Sequence, residues 1–155
     1  MRLTIPALTL LTAALLLSVP AAAQQAGQLG VGAVLGDPTG AVAKYFFNDR
    51  DAVDFGLGVS DTLVLWADYS LHAWELLPQP AHGRLGAYVS VGGRFESQTP
   101  SDFGIRTLGG LSYWPHLKHP VELFLELGPT FRVTPAPTRV RVDGSFGARW
   151  YFALK

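Results

Sequence analysis

From Gln28 onward, apolar and polar side chains alternate with period two, in eight runs separated by turn signals. The pattern predicts strands at about Gln28–Leu35, Gly40–Phe47, Ala52–Ser60, Thr62–Trp74, Arg84–Glu96, Asp102–Trp114, Val121–Val133 and Arg139–Phe152. Gly36-Asp37-Pro38-Thr39 and Asn48-Asp49-Arg50-Asp51 read as turns, and Pro78, Pro80, Pro100, Pro115, Pro120, Pro135 and Pro137 fall in the other connections. Proline is tolerated there because no ladder donor is needed. No helical periodicity competes. Strands joined in order by short connections predict an all-β, antiparallel up-and-down barrel of eight strands.

Alternation alone does not say which side faces in. An apolar inside would give a soluble, secreted, lipocalin-like ligand-binding barrel, and an apolar outside a transmembrane barrel. One face carries residues such as Val31, Leu57, Leu65, Val89, Ile105, Leu125 and Val142, and no charge. The other carries Lys44, Asp54, Asp68, His72, Arg84, Arg94, Glu96, Arg106, Glu122, Glu126, Arg141, Asp143 and Arg149, interleaved with glycines. Glycine is poor on an exposed strand face but leaves room inside a narrow barrel for a side chain reaching from across. The aromatics add a second signal. Tyr45, Phe47, Tyr113, Trp150 and Phe152 fall at one end of the apolar face, and Phe95, Phe103 and Phe131 at the other. Two such rings flanking an aliphatic band are the girdles of a bilayer belt. Trp74 is out of phase with either ring.

Composition sharpens this. The 155 residues contain 12 Lys+Arg and 12 Asp+Glu, no cysteine and 17 glycines. A net charge of zero argues against nucleic-acid binding. The absence of cysteine excludes disulfides and thiolate chemistry. Residues 1–23 read as a secretory signal peptide: Arg2, an apolar run from Ala7 to Val19, and Ala21-Ala22-Ala23 before Gln24. Residues 24–155 then form the barrel domain, with three lysines (Lys44, Lys118, Lys155) against eight arginines. That bias suits interior ion pairs, because a guanidinium fork meets carboxylates two bonds at a time. The inward list holds six cations and six anions, which predicts a self-neutralising interior network.

Candidate chemistry is sparse. Asp68, Ser70 and His72 share a strand face, but i, i+2 neighbours stand about 6–7 Å apart along a strand, too far for a direct triad. His116 and His119 flank Lys118 in one turn without further metal ligands, and His82 stands alone in a loop. The Gly-x-Gly stretches lack the strand-to-helix setting of a nucleotide site. The expectation is no enzyme, no cofactor and no metal. An eight-stranded interior is just wide enough to be filled by side chains, so a plug is favoured over a narrow pore or permeation path.

The run Gly30-Val31-Gly32-Ala33-Val34-Leu35-Gly36-Asp37-Pro38-Thr39-Gly40, then Lys44-Tyr45, Asn48-Asp49-Arg50 and Ala52-Val53-Asp54-Phe55-Gly56-Leu57-Gly58, carries a resemblance. Ala67-Asp68-Tyr69, Gly92-Gly93-Arg94 and Phe103-Gly104-Ile105-Arg106 extend it. The chain resembles small Gram-negative outer-membrane β-barrels, the class of the OmpA transmembrane domain and OmpX, and a group of single-barrel proteins among them. The resemblance implies an outer-membrane location, a bilayer and the barrel-insertion machinery as partners, and periplasmic termini. It also implies a structural, envelope-organising role, with a lipid-modifying enzyme as the rival built on Ser70 and His72. The connections at Gly36–Thr39, Asp61, Ser97–Ser101 and Thr134–Thr138 would then face outside. They are short, which argues against an adhesin. Members commonly end on an aromatic residue, whereas Trp150-Tyr151-Phe152 is followed here by Ala153-Leu154-Lys155.

Overall fold

The computed structural model describes residues 26–135 and 137–154. The segment read as a signal peptide, and Lys155, lie outside the described residues. Eight strands form: β1 Gln28–Gly36, β2 Thr39–Phe46, β3 Asp51–Val59, β4 Leu63–Ala73, β5 Arg84–Glu96, β6 Asp102–Trp114, β7 Val121–Thr134 and β8 Arg139–Ala153. Each pairs antiparallel with its sequence neighbours, and β1 pairs with β8, so the sheet closes into a barrel. Closure leaves no unpaired edge.

Strands β5 and β6 have the bounds the alternation predicts, and the others differ by one residue at one or both ends. The differences have local causes. The β1–β2 turn tightens to Asp37-Pro38 because the Thr39 hydroxyl accepts from the Gly36 N–H (3.1 Å) and donates to the Gly36 carbonyl (3.0 Å). Gly36 itself sits at φ 134°, a conformation that favours glycine. At the other rim the Asn48 side chain accepts from the N–H groups of Arg50 and Asp51, both at 2.8 Å, which starts β3 one residue early. The long β4–β5 connection is held by Gln79, whose amide donates to the Trp74 and Leu85 carbonyls and accepts from the Leu85 N–H. At the chain end, β8 takes in Ala153, and the Leu154 N–H donates to the Gly27 carbonyl at 3.0 Å, so the ladder continues past Phe152.

The two faces differ sharply. Val31, Leu57, Leu65, Val89, Ile105, Leu125 and Val142 are all at least 42% exposed on the outside of the barrel. Phe47, Phe95, Phe103 and Phe131 are exposed, and Tyr45, Tyr113, Trp150 and Phe152 half-buried, on the same outer face. The inside is where the charges are. The end carrying the chain termini is called here the terminal rim, and the end carrying the β1–β2, β3–β4, β5–β6 and β7–β8 connections the loop rim.

Candidate functional site in the barrel lumen

Each inward side chain is placed by strand phase, and what it meets depends on the register. At the terminal rim Lys44, Glu122, Arg149 and His72 are buried together. Glu122 accepts from the Ser112 hydroxyl (2.7 Å), the Tyr151 hydroxyl (2.6 Å) and Arg149 Nη1 (3.0 Å). Arg149 also meets Asp54 at 3.0 Å and lies over the Phe124 ring at 3.7 Å. Lys44 Nζ pairs with Asp54 at 3.4 Å, faces the Tyr88 ring at 4.2 Å, and donates to His72 Nε2 at 3.2 Å. His72 Nδ1 donates to the Arg50 carbonyl at 3.1 Å, so the imidazole carries its proton on Nδ1.

Over this cluster lies a lid of Phe46, Ala52, Trp74, Trp114 and Tyr151, all buried. Trp74, out of phase as a girdle residue, belongs to this lid: its indole N–H donates to the Asp49 carbonyl at 2.7 Å and its ring stacks on His72. Arg84 is half-buried at this rim with its guanidinium 4.2 Å over the Trp74 ring. Phe46, Trp74 and Trp114 add to the interior groups read from the sequence. The signal was strand phase, since all three share the parity of the charged face on their strands.

In mid-lumen, Arg106 Nε lies 3.2 Å from Asp68 and its Nη2 3.9 Å from Glu126, which also accepts from the Tyr88 hydroxyl at 2.6 Å. Val34, Val42, Val64, Trp66 and Phe124 form an apolar cluster on the wall. The large rings lie on bare glycines of the neighbouring strand: Trp66 on Gly56, Tyr88 on Gly110, Tyr151 on Gly30 and Phe124 on Gly147. A Cβ at any of these glycines would overlap the ring. The glycines therefore make room for the adjacent strand's aromatic, rather than for a side chain reaching from across the barrel.

Toward the loop rim, Arg94 is buried and holds three acids: Glu96 (2.7 Å), Asp143 (2.8 Å) and Asp37 (3.0 Å). Arg141 shares all three, binding Glu96 closely and Asp143 at 3.2 Å, but its side chain is 38% exposed. Asp143 also accepts from the Thr130 hydroxyl at 2.7 Å. Burial works to raise the Asp37 carboxyl pKa, but hydrogen bonds from Arg94 and Ser60 and the charges of Arg94 and Arg141 outweigh it and hold it below the ordinary 3.8.

The structure does not bring Asp68, Ser70 and His72 into a relay. Ser70 donates to Asp54 at 2.8 Å, Asp68 faces Arg106, and His72 is held by Lys44 and the Arg50 carbonyl. His119 packs against the Trp150 ring at 4.6 Å. Among the described residues no three His, Cys, Asp or Glu side chains converge as metal ligands.

The arrangement is similar to a solved structure, the N-terminal β-barrel domain of Pseudomonas aeruginosa OprF. The two align over 83% of this chain and 100% of that domain, with a TM-score of 0.53 and 12% sequence identity. At that identity the likeness is one of fold. The resemblance to eight-stranded outer-membrane barrels of the OmpA class therefore holds for the architecture. No family model and no curated protein matches the sequence.

Proposed function

We propose that this chain is an outer-membrane barrel with a side-chain-filled, salt-bridged interior, and that its role in the envelope is structural and not enzymatic. The observation that carries this is the inversion of polarity. Leucine, valine and phenylalanine cover the outside, while Lys44, Arg94, Arg106, Glu122 and Arg149 are almost wholly buried inside. Such an exterior in water would be an apolar patch far beyond what a soluble monomer shows, whereas lipid solvates it. A closed barrel also satisfies its backbone within the sheet, as a bilayer requires. The OprF-like architecture and the aromatics at both ends of the outer face support the same reading.

In this reading the partners are the lipid bilayer and, during assembly, the insertion machinery. The termini are periplasmic and the four short connections of the loop rim face outside. The Ala153-Leu154 extension continues the β8 ladder and leaves the aromatic group of Trp150 and Phe152 at the rim. The interior favours a plug over a pore, because the terminal rim is covered by the Phe46, Trp74, Trp114 and Tyr151 lid.

Membrane fractionation with a heat-modifiability gel tests the location. The folded chain should partition with the outer membrane and change mobility on boiling. A chain that stays monodisperse without detergent would overturn it. Planar-bilayer recordings test the plug, for which steady, ion-selective conductance is the overturning result.

A further inference from the structure

The loop-rim mouth holds a pair of charges that the packed interior does not use. Arg132 of β7 and Arg139 of β8 are direct partners in the ladder, in phase with the inward Thr130 and Arg141. Like charges placed directly opposite destabilise a sheet unless an anion lies between them. Asp102 reaches Arg132 Nη1 at 3.3 Å, and Arg132 Nη2 donates to the Pro137 carbonyl at 3.2 Å. Arg132 Nε is buried without an acceptor. The Arg139 side chain is exposed and, among the described residues, has neither a hydrogen-bond nor an ion-pair partner. The acids nearby are already engaged: Glu96 accepts from Arg94, Arg141 and Gln98, and Asp143 from Arg94, Arg141 and Thr130. Arg132 and Arg139, with Arg94, Glu96, Asp102 and Arg141, line a cavity of about 380 Å³.

We propose that this mouth is a binding site for a phosphate group, held between the guanidinium groups of Arg132 and Arg139. The planar fork of arginine matches the oxygen spacing of phosphate, and a dianion there removes the repulsion between the two strands. The phosphate can come free from solution or from a lipid headgroup at the rim. The site rests on the β7–β8 register and the mouth geometry, and stands whether or not the barrel conducts.

The test follows the arginine Nε–Hε NMR signals of the barrel in a phosphate-free maltoside detergent. Inorganic phosphate is titrated against sodium chloride of matched ionic strength. Saturable shifts at Arg132 and Arg139 with phosphate and not with chloride are expected. Arg139→Gln, at an exposed position, should weaken phosphate binding by about tenfold or more, and Arg139→Lys by less. In nanodiscs of phosphatidylglycerol, signals already at their phosphate-saturated positions identify the headgroup as the source. Signals that move only on adding phosphate identify free anion, and either result supports the site. The proposal fails if chloride produces the same shifts, if neither source gives a saturable response, or if folded Arg139→Gln, verified by heat-modifiability, binds phosphate as tightly as the parent.

Discussion

At the terminal end of the lumen, Lys44, Glu122 and Arg149 lie under a lid of Phe46, Trp74, Trp114 and Tyr151. At the loop end, Arg94 shares its three acids with Arg141, whose side chain is 38% exposed, and Arg132 and Arg139 stand at an uncovered mouth. Both ends draw on the same residue types and the same alternation. What separates them is the aromatic layer, two of whose rings, Tyr151 and Trp74, lie against Gly30 and Gly86. Charge pairing therefore fills both ends, and the aromatic layer closes one. The difference also separates two physical regimes. Breaking a buried pair strands an uncompensated charge, whereas an exposed ion pair contributes little.

The comparison breaks most directly at Glu122. Replacing it with alanine removes the acceptor of Ser112, Tyr151 and Arg149 at once. A loss of about 3–5 kcal/mol is expected, read from urea unfolding in liposomes by tryptophan fluorescence. A loss under about 1 kcal/mol would mean that the closed end behaves like a solvated surface. Arg94→Met should cost less, on the order of 2–3 kcal/mol, because Arg141 already reaches the same three acids. Arg141→Met, half open to solvent, should stay within about 1 kcal/mol in the same assay. Equal losses for the two arginines would erase the distinction between the buried and the open part of the mouth.

How much of this could be read before the structure varies along the barrel. Period two places Lys44, Asp54, Glu122 and Arg149 on one face, because strand parity is a local property. It places Phe46, Trp74 and Trp114 there too, but parity does not say that the three come together with Tyr151 as a lid. Partners are a different matter. Arg94 meets Asp143 of β8 and Asp37 of the β1–β2 turn because strand tilt brings them to one height, and tilt leaves no periodic trace. Asp37 reads as a turn residue for the same reason. The spacing argument against an Asp68, Ser70, His72 relay is local geometry, and the contacts of those three side chains lie elsewhere.

The packing of rings on glycines can be sharpened in mid-lumen, at Gly56. A Cβ there would overlap the Trp66 indole, so Gly56→Ala must displace the ring or the strand, at about 1–3 kcal/mol. Trp66→Leu, tested with it, should recover part of that loss, giving a coupling of opposite sign to the single effects. Strict additivity in liposome unfolding would show that the ring does not rest on this glycine.

The smallest effect is expected at Asp37, and it has a defined sign. Its carboxyl is held below the ordinary 3.8 because the hydrogen bonds and charges of Arg94 and Arg141 outweigh its partial burial. A group depressed in the folded state contributes stability above its unfolded pKa and loses it as pH falls through the folded value. The open end should therefore loosen in acid, below about pH 4, while at neutral pH and above the contribution of this carboxyl is fully present and no longer changes with pH. Asp37 is 39% exposed, so solvent screening keeps the change modest. Asp37→Asn should flatten the acid limb of the unfolding profile without moving the neutral plateau by more than the loss of one exposed pair. If the variant and the parent show the same acid limb, the loop-rim network does not draw on Asp37, and Arg94 is held by Glu96 and Asp143 alone.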